Sequence, residues 1–233
     1  MADLKGKRIV VAGGTGDVGA GIVAVLLTLG AEVLVPARDA AKADRLKAEC
    51  QQNGNLAIFM GEPGTVAGAE NLAAEIRAAG SLDGVVASLG GWWQGPPLVG
   101  IDGAEWDNML AGNLTSHFAL ARAFLPSLHV SGGTYIQILG GAAHYPIPGA
   151  SLVSITAAAV AMMGRVLAVE NRAPSVKIRQ IMIESMVATR SRPGSDPSWV
   201  KVADIGMAAA RMISSRGGTE DLVRLPSEAG GGS

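Results

Sequence analysis

R-I-V-V-A-G-G-T-G-D-V-G-A-G (8–21) decides the fold. R-I-V-V-A is short, branched and apolar, which predicts a buried strand. Glycines at 13, 16 and 19 follow as G-x-x-G-x-x-G, where the strand gives way to a helix. That helix places Val18, Ile22, Val25, Leu26 and Leu29 on one face, and Gly30 stops it. Strand, glycine turn and helix in this order form the context in which such a motif holds a dinucleotide. Gly13 allows the sharp turn, Gly16 lets backbone approach a pyrophosphate, and Gly19 lets the helix pack on the strand. The helix N-terminus adds unpaired N–H groups and partial positive charge. Thr15, Asp17 and Val18 complete the candidate set at this turn. The alternative is a glycine-rich turn that binds nothing.

The rest of the chain alternates in the same way. Strands are predicted at 32–37, 56–60, 82–89, 134–139, 176–183 and 221–225. Helices are predicted from an Asp39 cap to Cys50, over 66–79, over 103–128 with room for a bend, over 151–171 and over 199–214. With no repeat and no linker, this predicts an α/β fold: a Rossmann-type doubly wound parallel sheet of about seven strands, helices on both faces. The expected division is a single dinucleotide-binding domain over 1–227 and a flexible tail over 228–233.

Net charge is −1, so no basic field favours nucleic acid or an anionic membrane. The N-terminus carries no signal-peptide pattern and no uncharged apolar run is of spanning length, so a cytoplasmic protein is expected. The one cysteine, Cys50, excludes an intramolecular disulfide and fits a reducing compartment. Three histidines without ligand spacing predict no metal site.

The second strand ends V-P-A-R-D. An NAD site places an acid there to accept from the ribose 2′-hydroxyl. Ala37 cannot, and Arg38 offers a guanidinium suited to a 2′-phosphate, so NADP(H) is favoured over NAD(H). The competing reading pairs Arg38 with Asp39 or Asp44 on the surface.

These features, with D-G-V-V-A-S-L-G (83–90), E-W-D-N-M-L-A-G-N-L (105–114) and A-D-I-G-M-A-A-A-R-M-I-S (203–214), resemble the short-chain dehydrogenase/reductase family over about residues 5–227. The resemblance adds Ser88, Leu89 and Gly90 to the cofactor set, makes Asn113 the active-site asparagine, and brings Thr189 toward the carboxamide or pyrophosphate. It puts Phe59 where an adenine-contacting Asp is usual. It also implies a homodimer or homotetramer built through the helices after the fourth and fifth strands. The family's Ser and Tyr-x-x-x-Lys positions fall on Gly140, Val153 and Ala157, none of which offers a side-chain proton. Independently of any alignment, neither Tyr135 nor Tyr145 is followed four residues later by Lys.

His144 and Tyr145 follow the fifth strand and could transfer a proton or simply shape the rim. His117 lies four residues beyond Asn113 on the same helical face, as an acid or as a hydrogen-bonded buried histidine. Ser151, Ser154 and Thr156 lack a basic partner. Trp92 and Trp93 form a candidate wall for a cyclic small-molecule substrate beside Gly140 and Val153, or else a packed loop or subunit contact. Arg190 and Arg192 could meet an anionic substrate. Three functions stay open: hydride transfer to an activated acceptor (imine or iminium, quinoid or flavin-like), a non-redox isomerase or cyclase, and a catalytically silent NADP(H)-binding subunit or sensor.

Overall fold

The computed structural model describes residues 2–171, 173, 175–194, 196–214 and 220–226; the expected tail over 228–233 lies outside them. Strands β1 (Arg8–Ala12), β2 (Glu32–Ala37), β3 (Leu56–Met60), β4 (Gly84–Ala87), β5 (Thr134–Gly140) and β6 (Lys177–Ile183) come first. Two-residue strands β7 (Val187–Ala188) and β8 (Val200–Lys201) pair with each other, and β9 (Leu222–Leu225) closes the series. The main sheet runs β3-β2-β1-β4-β5-β6-β9 with every neighbour parallel. Strand order reverses at β1/β4, and the crevice for a ligand opens at the carboxyl ends there.

Helices α1 (Asp17–Thr28), α2 (Ala40–Glu49) and α7 (Val202–Ser214) cover one face; α3 (Val66–Ala78), α5 (Ser116–Phe124) and α6 (Ser151–Glu170) cover the other. Burial on both faces explains why the strands read as continuous apolar runs. Ile9 and Val11 meet α1 and α7, while Val10 and Val85 meet α3 and α5. Small residues let α1 and α7 touch: a Cβ on Gly206 would stand 2.7 Å from the Val25 Cβ. α6 is long and apolar enough to cross a membrane, and Leu152, Val160, Ala161 and Gly164 lie on its one buried side, against the sheet.

The structure revises two expectations. The fourth strand stops at Ala87 rather than 89, because the chain turns away at Gly90, whose φ is +97°. The helix expected over 103–128 is α4 (Gly103–Leu110), a π turn over Ala111–Thr115, α5, and a 3₁₀ turn over Leu125–Ser127 that contains Pro126. The wide turn carries Asn113. Single π turns inside α-helices recur at functional sites.

Candidate active site

The glycine turn is built as its sequence suggests. Gly13 sits at φ +81°, and a Cβ there would lie 2.0 Å from the Ser88 carbonyl oxygen, so the loop must press against the end of β4. On Gly19 a Cβ would lie 2.1 Å from the Gly13 carbonyl oxygen. Gly16 caps α1 without a side-chain bond, which leaves the first-turn amides for an external acceptor.

A cleft of about 790 Å³ runs along this edge. Of the anticipated cofactor residues, Gly13, Thr15, Gly16, Arg38, Ser88, Leu89 and Gly90 line it. Asp17, Val18, Gly19 and Thr189 do not: Val18 packs on the core, and Thr189 accepts from the Arg192 amide within its own turn. Arg38 is 73% exposed and faces Glu62 at 3.7 Å, not Asp39 or Asp44. Asp39 caps α2 by accepting from the Lys42 amide, and Asp44 pairs with Lys47. The sequence reading missed Lys42, which stands in the first turn of α2 and lines the cleft beside Arg38. Phe59 packs against the core instead, and the acids lining the cleft are Asp39 and Glu62, the latter just beyond the end of β3.

The cleft meets a smaller pocket of about 250 Å³ at Leu89, Gly90, Gly91 and Asn113. Gly140, Val153, Ala157 and Trp92 line this pocket with Asn113, so residues as far apart as 92 and 157 in sequence meet there. Asn113 Oδ1 accepts from the Gly91 amide at 2.8 Å, and its Nδ2 donates to the Gly91 carbonyl at 3.1 Å. Nδ2 also lies 3.5 Å from Thr156 Oγ1, which itself donates to the Leu152 carbonyl at 2.7 Å.

His117 lies beneath the pocket, 3% exposed, with Nδ1 unpartnered. Burial pushes its imidazole down to about 4, against an opposing hydrogen bond to the Leu89 backbone. It is therefore neutral near pH 7 and is not the acid considered from sequence. Tyr135 is fully buried, and burial pushes its phenol up. His144 and Tyr145 stack edge to face on the exposed loop after β5 and line neither cavity. The two tryptophans part company: Trp92 lines the pocket, while Trp93 lines neither cavity and donates to Glu105 Oε1 at 2.8 Å. Adjacent side chains in an extended segment point to opposite sides. Ser154 bonds locally to the Ala150 carbonyl, and the Ser151 hydroxyl has no partner. Arg190 lines neither cavity; its guanidinium is held by Glu49 and Asp17. No cluster of metal-ligating side chains occurs among the described residues.

Comparison with known proteins agrees with this architecture. Residues 7–195 match the family described as short chain dehydrogenase. A "probable oxidoreductase" of Streptomyces antibioticus is 33% identical over 152 residues, covering 63% of this chain and 49% of that protein. The chain thus spans about half the length of that relative, and likewise of a second from Streptomyces lividans at 48%. A cis-2,3-dihydrobiphenyl-2,3-diol dehydrogenase of Pseudomonas sp. KKS102 is 28% identical, covering 82% of this chain and 70% of that one. A dehydrogenase/reductase structure from Sinorhizobium meliloti superposes with TM-score 0.84 at 26% identity, covering 96% and 94% of the two chains. The RhlG/NADP active-site complex of Pseudomonas aeruginosa does so with TM-score 0.83 at 22% identity, covering 96% of each. The chain belongs to the short-chain dehydrogenase/reductase family.

Proposed function

We propose that this chain is an NADP(H)-dependent oxidoreductase that passes hydride to a small acceptor already electrophilic, such as an iminium, a quinoid or a flavin-like ring. The observation that carries the reading is the 250 Å³ pocket: among its lining side chains, only Asn113, Thr156, Trp92 and the neutral His117 are polar. A ketone that accepts hydride becomes an alkoxide and needs a proton in the same step. An iminium carbon that accepts hydride returns an electron pair to nitrogen and needs none. Positioning then carries most of the catalysis. Where a proton is required, water supplies it, or His144 or Tyr145 from the neighbouring loop.

The glycine turn, whose close packing a Cβ at Gly13 or Gly19 would break, fits a pyrophosphate at the N-terminus of α1. Arg38 and Lys42 would hold a 2′-phosphate; Arg38 has only a loose, exposed partner in Glu62 to give up. The backbone of Ser88–Gly90 and the Asn113 side chain border the nicotinamide end. When bound, the nicotinamide supplies the hydride; the chain orients it against Trp92, Gly140 and Val153. In keeping with the family resemblance, the chain assembles as a homodimer or homotetramer through α5 and α6.

Titration with NADPH and NADH, repeated on Arg38→Ala, tests the cofactor. NADPH should bind more tightly, and the variant should lose on the order of tenfold or more toward NADPH while NADH is nearly unchanged. Nicotinamide absorbance with quinone, iminium and plain ketone acceptors tests the chemistry. Turnover of ketones as fast as quinones contradicts the proposal, and nucleotide binding without turnover of any acceptor marks a silent subunit.

A further inference from the structure

Asp17 raises a difficulty for any phosphate at the glycine turn. It is the first residue of α1, and its carboxylate sits at the same positive helix end that the pyrophosphate would occupy. A carboxylate there stabilises the free helix but repels a second anion. Glu49 presents the reverse problem, since it is the last residue of α2 and stands at that helix's negative end.

One arginine answers both. Arg190 lies in the loop after β7. Its Nη1 donates to Glu49 Oε1 and Oε2 at 2.5 and 2.6 Å, and its Nη2 donates to Asp17 Oδ1 at 2.8 Å. Ser191 Oγ donates to the other Asp17 oxygen. Both Asp17 oxygens are therefore occupied by donors from a loop more than 170 positions away in sequence. The Ser191 bond, opposed by partial burial, and then Arg190 hold the Asp17 carboxyl below the usual range, with a smaller contribution from Arg45.

We propose that Arg190 is a positioning residue for the nucleotide: shared with Glu49, it offsets the Asp17 charge, so that the N-terminus of α1 remains attractive to a pyrophosphate, and it fastens the loop after β7 beside that glycine turn. The proposal rests on the nucleotide reading above. It assigns Arg190 to the cofactor's electrostatics rather than to an anionic substrate. The groups involved are all partly exposed, so the effect must be screened by salt.

A double-mutant cycle tests it, with NADPH binding read by titration. Arg190→Ala alone should weaken NADPH on the order of five- to tenfold at low ionic strength, as expected for one uncompensated charge near a pyrophosphate. At about 0.5 M salt the loss should shrink to about twofold. In the Asp17→Asn background the same substitution should cost about twofold or less, because the carboxylate at the N-terminus of α1 is already gone. Arg190→Lys should keep most of the affinity, and Glu49→Gln should leave it nearly unchanged. A purely structural role would lower the melting temperature without this background dependence. Unchanged affinity in Arg190→Ala, or an undiminished loss in the Asp17→Asn background, overturns the proposal. Failure of the wild-type chain to bind NADPH or NADH instead removes the nucleotide reading on which it stands. Should Arg190→Ala not fold, the wild-type, Arg190→Lys and Asp17→Asn comparison decides: Asp17→Asn must bind NADPH at least as tightly as wild type.

Discussion

His117 shows how one buried side chain writes itself into stability. Its imidazole titrates near 4 when folded, against an ordinary value of about 6.5. The unfolded chain therefore takes up a proton at a pH where the folded chain does not, and stability rises with pH across that window. Acidification from about 6.5 to about 4 should remove on the order of 3 kcal/mol through this group alone. Urea unfolding from pH 7 to 4 should show the loss in wild type, and His117→Gln should flatten that part of the profile. An unaltered profile in the variant would mean that another group sets the acid sensitivity. The same burial makes His117 a poor acid, a point its sequence position did not reveal. Spacing put His117 on the Asn113 face, but only packing beneath the pocket fixed its charge.

At the scale of elements, the segment from α4 to α5 departs most from its sequence pattern. The sequence predicts a helix over 103–128 with room for a bend, and Asp102 caps its start by accepting from the Glu105 amide. The π turn interrupts it because Asn113 binds both backbone groups of Gly91, a residue 22 positions earlier. No local propensity encodes that bond. Elsewhere the local signals suffice: Asp39 caps α2 as expected, and Gly30 ends α1 with φ +87°. The two-residue strands β7 and β8 carry too few residues for any period and were invisible beforehand. Asn113→Ala should release the loop over 89–91 by removing two hydrogen bonds worth about 1 kcal/mol each. Faster amide exchange at Gly91 and a several-fold weaker NADPH titration should follow, with little change in the rest of the sheet. If exchange at Gly91 stays slow, the asparagine does not hold that loop.

For the whole molecule, the sequence spoke clearly about layers and faintly about chemistry. Alternation and apolar runs were enough for a parallel sheet covered on both faces, because burying both faces demands that pattern. The glycine turn was legible because its backbone packs where a Cβ would collide. The other pocket was legible mostly by what it lacks, since Gly140, Val153 and Ala157 carry no function a spacing rule can recognise. One whole-molecule feature still bears on assembly. Ile155, Met162, Val166 and Val169 form a stripe along α6, with exposures of 37%, 51%, 44% and 87%, and Phe118 on α5 is 47% exposed. Polar side chains would be expected on a helix face turned to water, and this stripe instead suits a second copy. If the proposed assembly uses it, Met162→Glu with Val166→Glu should place like charges in a dry contact and give monomers by sedimentation. The proposed nucleotide cleft lies at the strand ends rather than on this stripe, so the monomer should still bind nucleotide within a few-fold of wild type. A doubly charged variant that sediments as wild type does would mean that the subunits meet through another face.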